Sequence, residues 1–204
     1  MALGAGLAAM LISGPAWAYG KGAMELGLSS HYDWPGMDAS VFDPAFDYGL
    51  VFHYWLNDRS SIMAGFDQLA FSAPFEVDGS DEGLDYTSSV FMGGLRYRPE
   101  MDFALRPYLE GGVGYESWTV KPGGGSLDNR SGSSVAYFAG TGLEYEIRRA
   151  LTVGVNYRYL FYSMKENLER EAVSVPGGNY DVSKDPFKSV GFGTLGIELT
   201  WRIR

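Results

Sequence analysis

Cysteine is absent from the 204 residues, which removes both a disulfide framework and a thiolate metal site. Long apolar runs are missing as well. Although 46% of the residues are hydrophobic, no apolar stretch of about 18 occurs outside the extreme N-terminus. A helical membrane protein is therefore excluded, and any membrane span has to be made of strands. Lysine is scarce: Lys21, Lys121, Lys165, Lys184 and Lys188 are all there are, each at the edge of or outside a candidate strand. A water-soluble barrel would use Lys freely on its outer face, whereas on a lipid-facing strand Lys at mid-membrane costs about 2–4 kcal/mol. Positive charge is short overall, with a net charge of −9. That excludes nucleic acid as a partner, since phosphate-backbone binding needs clustered Lys and Arg. No shift in composition divides the chain, which reads as one domain.

What is present is alternation. Between Leu105 and Tyr162 three runs place successive side chains on opposite faces, as a strand does. In the first, Leu109, Gly111, Val113 and Tyr115 oppose Tyr108, Glu110, Gly112, Gly114 and Glu116. The second sets Val135, Tyr137, Ala139, Thr141 and Leu143 against Ala136, Phe138, Gly140, Gly142 and Glu144. In the third, Leu151, Val153, Val155, Tyr157 and Tyr159 oppose Thr152, Gly154, Asn156 and Arg158. Each run is about 12 to 15 residues, longer than the usual strand of about 5–6 and enough for a tilted membrane-spanning strand, which needs about 9–11.

In chain order, Ala2 to Ile12 is almost purely apolar and Ala16-Trp17-Ala18 supplies a small-x-small cleavage pattern. Together they predict a secretory signal peptide over 1–18, leaving residues 19–204 as the barrel domain. Strands are then expected at Met24 to Trp34, Phe46 to Asn57, Ile62 to Ala73, Tyr86 to Arg98, Leu105 to Thr119, Ser134 to Arg148, Leu151 to Met164 and Ser189 to Arg202. In the third, Ile62, Ala64 and Phe66 fall on one phase and Leu69 and Phe71 on the other, which a β-bulge near Asp67-Gln68 would reconcile. Long and short connections alternate, as in bacterial barrels with short periplasmic turns, long extracellular loops and both termini periplasmic. The fold expected is all-β, an eight-stranded antiparallel up-and-down transmembrane β-barrel. Glycines on or next to its inner face (Gly49, Gly94, Gly112, Gly114, Gly140, Gly142, Gly154 and Gly196) would make room for large inward groups.

Some of these residues also carry a resemblance. Arg106-Pro107-Tyr108 leads into Gly-Gly-Val-Gly-Tyr, followed by Ala-Gly-Thr-Gly-Leu-Glu-Tyr and Val-Asn-Tyr-Arg-Tyr on the next two strands. This pattern resembles the small eight-stranded outer-membrane barrels of Gram-negative bacteria: the outer-membrane protein A transmembrane domain, outer-membrane protein W and the opacity-type adhesins. Gly196, Leu199 and Trp201 are similar to the signal such proteins present to the barrel-assembly machinery, although here the chain continues through Arg202-Ile203-Arg204. The resemblance implies localisation in the outer membrane, with its lipid and lipopolysaccharide, the assembly machinery and an extracellular ligand of the loops as partners.

Three constellations could carry chemistry. Inward Glu110, Glu144 and Glu198 should share one depth with Arg96 and Arg158, with Arg202 below, forming an ionic network that plugs the lumen; the alternative is a selective pore or proton path. His31 and Asp33 share the inner face of the first strand. Beside Asp43 or Asp85 they could imitate a protease acid–histidine pair, yet no paired Asp-x-Asp motif is present. A Ser–His nucleophile pair of the kind a lipid A deacylase needs is not evident in the sequence, and His53 reads equally well as a lumen hydrogen-bonding residue. The acidic second loop (Glu76, Asp78, Asp81, Glu82 and Asp85) could hold Ca²⁺ or bridge to lipopolysaccharide, but lacks EF-hand spacing. The functional expectation is a structural or surface-interaction, adhesin-like barrel that needs no cofactor and is not an enzyme. A narrow, porin-like solute channel is the alternative, and a barrel enzyme acting on envelope lipid or peptide is the alternative of another class.

Overall fold

A computed structural model describes residues 20–35, 43–73, 76–77, 80–81, 84–101, 104–122, 129–162 and 190–203. The expected signal peptide and most of the long loops lie outside these residues. The strands are β1 (Met24–Pro35), β2 (Ala45–Trp55), β3 (Ser60–Ala73), β4 (Glu76–Val77), β5 (Ser80–Asp81), β6 (Leu84–Tyr97), β7 (Leu105–Pro122), β8 (Arg130–Arg148), β9 (Leu151–Tyr162) and β10 (Val190–Arg202). Eight of them close an antiparallel barrel in the order β1-β10-β9-β8-β7-β6-β3-β2, while β4 and β5 form a separate small hairpin. Closure is made by β1 against β10, from Glu25↔Arg202 to Pro35↔Phe192, so the barrel sheet has no open edge.

Alternation decides what faces lipid. Along β2, Phe46, Tyr48 and Leu50 are exposed on the outside, whereas Asp47, Val51, His53 and Trp55 are buried within. Leu109, Val113, Val155, Tyr137, Leu195 and Ile197 continue the apolar outer surface on β7 to β10. Connections at 56–59, 98–104 and 149–150 join strands at one end, and the segments 36–44, 74–83, 123–129 and 163–189, all but the third longer than any of these, join them at the other. In the orientation expected from the sequence the first end is periplasmic and the second extracellular.

β3 corrects one expectation. No bulge occurs at Asp67-Gln68: the ladder with β6 runs unbroken from Ser60↔Tyr97 to Ala73↔Leu84. Asp67 points inward and Gln68 outward, and the apolar residues change face because their surroundings change. Ile62 faces lipid, but Leu69 and Phe71 are buried inside, where Phe71 stacks on Phe192 at 4.5 Å with 10° between planes. At the same level the outer face turns polar, with Ser89 donating to Gln68 and Gln68 donating to the Ser88 carbonyl. The register irregularity present lies instead between Glu146 and Arg148, in the β8–β9 ladder.

Gly112 shows how tightly the lumen is filled. It pairs with Gly94, and the Phe138 ring lies over both, so a Cβ on either would stand 2.8 Å from that ring. A Cβ at Gly112 would also approach the Gly93 carbonyl oxygen to 2.2 Å, and backbone cannot rotate aside. Gly93, on the outer face, has open space around its missing Cβ. Gly112→Ala is therefore expected to lower the urea midpoint of the refolded barrel markedly and Gly93→Ala to leave it nearly unchanged. Height matters in the same way on the outer face. Val155→Arg, in the apolar band, should impair assembly by about 2–4 kcal/mol, against about 0–1 kcal/mol for Ser117→Arg in the polar band near the extracellular end, read as folded fraction by heat-modifiable mobility on gels.

Candidate functional site: the charged lumen

Each of the eight barrel strands aims a titratable side chain into the lower and middle lumen. Arg96 on β6 is the hub. Its Nη2 donates to Glu110 Oε2 at 2.8 Å and to Glu198 Oε2 at 3.1 Å, while Nη1 donates to Glu144 Oε1 at 2.6 Å and to Glu198 Oε1 at 3.0 Å. The guanidinium also sits 3.9 Å from the centre of the Tyr108 ring. One planar fork thus joins strands β7, β8 and β10, a task for which a point-like ammonium has too few fixed donors.

The network continues in both directions. Upward, Arg158 on β9 donates through Nε to Glu110 Oε1 at 3.0 Å and through Nη1 to Asp67 Oδ2 of β3 at 2.8 Å. Downward, Arg98 pairs with Glu144 and approaches Glu25 of β1 at 3.8 Å, lying 3.9 Å over the Trp55 ring. Trp55 Nε1 donates to Glu25 at 2.9 Å, and Arg202 reaches the other Glu25 oxygen at 3.9 Å. The chain of alternating charge runs Asp67, Arg158, Glu110, Arg96, Glu144, Arg98, Glu25, Arg202. Arg96 and Glu110 are inaccessible to solvent along their whole side chains, so each depends on the others for stabilisation.

Of the residues expected from sequence, Arg96, Glu110, Glu144 and Glu198 meet directly, and Arg158 meets Glu110. Among the described residues no ion pair or hydrogen bond joins Arg158 to Glu144; Arg158 reaches Asp67 and Glu110, and Arg202 approaches Glu25. Asp67, Arg98 and Glu25 were not singled out from the sequence, although their inward phase on β3, the β6 end and β1 was the available signal. Gly196 faces inward against His31, where a Cβ would come within 2.0 Å of the ring, whereas Leu199 and Trp201 face outward.

Of the two histidines, His53 lies in the lumen as a hydrogen-bonding residue, whereas His31 takes a partner other than Asp43 or Asp85. His31 pairs with Asp47, Nδ1 to Oδ1 at 2.9 Å, and both are buried in the lumen rather than open at the mouth. Asp85 instead accepts from Ser72 Oγ at 3.0 Å on the outside. A Ser–His contact does exist: Ser61 Oγ lies 3.3 Å from His53 Nδ1, and His53 Nε2 is 3.8 Å from Glu198. Ser61 and His53 are both fully buried, so no acyl substrate can approach the hydroxyl. Among the described residues no cluster of three or more His, Asp or Glu suited to a metal ion occurs, and Asp78 and Glu82 of the acidic loop lie outside them.

Above the charges comes an apolar layer. Leu69, Phe71, Tyr86, Trp118, Leu160 and Phe192 are buried together beneath the extracellular end. Within it Glu116 is held by neutral hydroxyls, accepting from Tyr86, from Ser88 at 2.7 Å and from Ser134 at 2.6 Å.

A closed eight-stranded antiparallel barrel, apolar outside and charged inside, is the architecture of a protein that crosses a bilayer by strands. The sequence profile of the outer membrane protein beta-barrel domain matches residues 5–202. The chain belongs to that family. It is accordingly a multi-pass β-barrel of the Gram-negative outer membrane. Among solved structures, Neisserial surface protein A is similar with a TM-score of 0.53 at 12% identity, over 89% of this chain and 96% of that one. The outer membrane protein OprG from Pseudomonas aeruginosa is similar with a TM-score of 0.54 at 14% identity, over 92% of this chain and 98% of that one. At such identities the likeness shows the fold alone. No curated protein matches the chain in sequence.

The pairing of this outer-membrane barrel's charges can be read by double-mutant cycles. Arg96→Met leaves three buried carboxylates short of their shared cation and should destabilise by about 3–5 kcal/mol. Arg158→Met and Asp67→Asn should be strongly non-additive, whereas Arg158→Met with Glu144→Gln should come closer to additivity, as groups without contact do. Urea unfolding of the four single variants and the two double variants in detergent checks both statements.

Proposed function

We propose that this outer-membrane barrel is a sealed, non-enzymatic wall element whose role is structural or surface-interactive, with any extracellular ligand taken by the loops. The observation that carries this reading is the filling of the lumen: guanidinium and carboxylate groups bridge it from wall to wall at mid-height, and the Phe71–Phe192 stack with Leu69, Leu160 and Trp118 covers them above. An eight-stranded barrel has an interior only wide enough for side chains, and here large ones occupy it. The ion-pair network from Asp67 to Arg202 thus acts as a plug, and the reading as a barrel enzyme loses its support with the burial of Ser61, His53 and His31. Leu199 and Trp201, on the lipid side of β10, and Gly196 behind them are the segment read by the barrel-assembly machinery in this proposal. Lipid and lipopolysaccharide contact the apolar outer band.

Purified wild-type protein in planar bilayers is expected to show no large, steady conductance and at most small, rare openings. Long-lived channels of porin size would overturn the plug and make a narrow solute channel the function.

A further inference from the structure

The lumen between the Arg96 hub and the apolar layer carries more acid than base. Asp33, Asp47 and Asp67 are buried there, and the guanidinium within their reach is that of Arg158. It is shared between Asp67 and Glu110. His31 engages one oxygen of Asp47. Asp33 is left over: it is 0% exposed, it lies beside the carboxyl of Asp47, and among the described residues no N–H or hydroxyl donor reaches either of its oxygens. The second oxygen of neighbouring Asp47 is likewise without a donor.

Two further unpartnered polar groups lie on the neighbouring strands. Thr194 is the β10 register partner of Asp33, and its buried hydroxyl has no partner. Asn156 is buried and unpartnered at both side-chain atoms; its Oδ1 lies 2.7 Å from the point where a Gly196 Cβ would stand, a point 2.8 Å from His31 Nε2. Asp33, Thr194 and Asn156 are all at least nine-tenths buried, so water is not freely available to them.

A buried carboxyl without a cation or hydrogen bonds is too costly to stay ionised alone, so it holds either a proton or a counter-ion. The available donors are carboxylate, hydroxyl and amide oxygens, a hard set that suits s-block cations rather than soft metals. Among the described residues no three carboxylate or imidazole groups are arranged for a metal centre, which disfavours a divalent ion. We infer that the upper lumen binds one monovalent alkali cation, with Asp33 as its charged ligand and Thr194 and Asn156 supplying neutral oxygens. This site is independent of what the loops recognise.

The test compares the unfolding midpoint of the full chain, refolded in detergent, in sodium or potassium chloride and in choline chloride at equal ionic strength. A cation bound to the folded state alone raises the midpoint with the logarithm of its concentration. The wild type should show that rise in an alkali chloride and none in choline. Asp33→Asn should abolish the dependence, and Thr194→Val, which keeps the charge, should make it shallower; should Asp33→Asn fail to fold, the Thr194→Val slope decides. Equal midpoints in alkali and choline chloride, or an unchanged slope in the variants, would overturn the site. A midpoint that follows pH but ignores the cation would also overturn it, and would show that Asp33 and Asp47 share a proton instead.

Discussion

Eight strands closed on themselves leave an interior that side chains alone fill, and every second residue must be accommodated in it. The rest of this structure follows from that dimension. A guanidinium on one strand can reach carboxylates on three others because the lumen is narrow, as Arg96 does with Glu110, Glu144 and Glu198. In a wider barrel the same residues would each be solvated separately. The narrowness also fixes where glycine must stand: Gly94 and Gly112 under Phe138, Gly142 under Tyr108 and Gly196 under His31 each yield the volume that a large neighbour takes.

The outer surface was legible in the sequence because it depends on one property, the match of apolar residues to a period of two. The strand count, the alternation of long and short connections and the inward phase of Arg96, Glu110, Glu144, Arg158 and Glu198 all follow from that period. Pairings across the lumen do not. Whether Arg158 meets Glu144 or Asp67 depends on the register of strands far apart in sequence and on side-chain reach, which no local pattern encodes. His31 shows the same limit: its partner Asp47 lies on the adjacent strand and is its register neighbour, but the position of the β1–β2 pairing was needed to see it.

The misread stretch is instructive for a different reason. Over Ile62 to Phe71 the apolar residues change phase without any irregularity in the backbone, since β3 pairs continuously with β6. A bulge was expected on the assumption that outside always means lipid. On β3, β6 and β7 the wall continues past the apolar band into a level where Gln68, Ser72, Ser89 and Ser117 face outward and Leu69, Phe71 and Tyr86 face inward. There the chain obeys the rule of a soluble barrel.

That reversal bears on why the lumen is ionic at all. Replacing a buried ion network by well-packed apolar residues is often neutral or stabilising, so stability by itself does not call for the Asp67-to-Arg202 chain. Register does. A slip of one residue exchanges the two faces of a strand, and in the membrane-spanning part it would drive Arg96, Arg158 or Glu110 into hydrocarbon, at about 2–4 kcal/mol for each Arg. An apolar lumen there would make inside and outside chemically alike, and the slip would go unopposed. Beyond the membrane the contrast is kept with its sign reversed, polar outside and apolar inside, so the Phe71–Phe192 layer can cap the lumen without loosening the register of the strands that carry it.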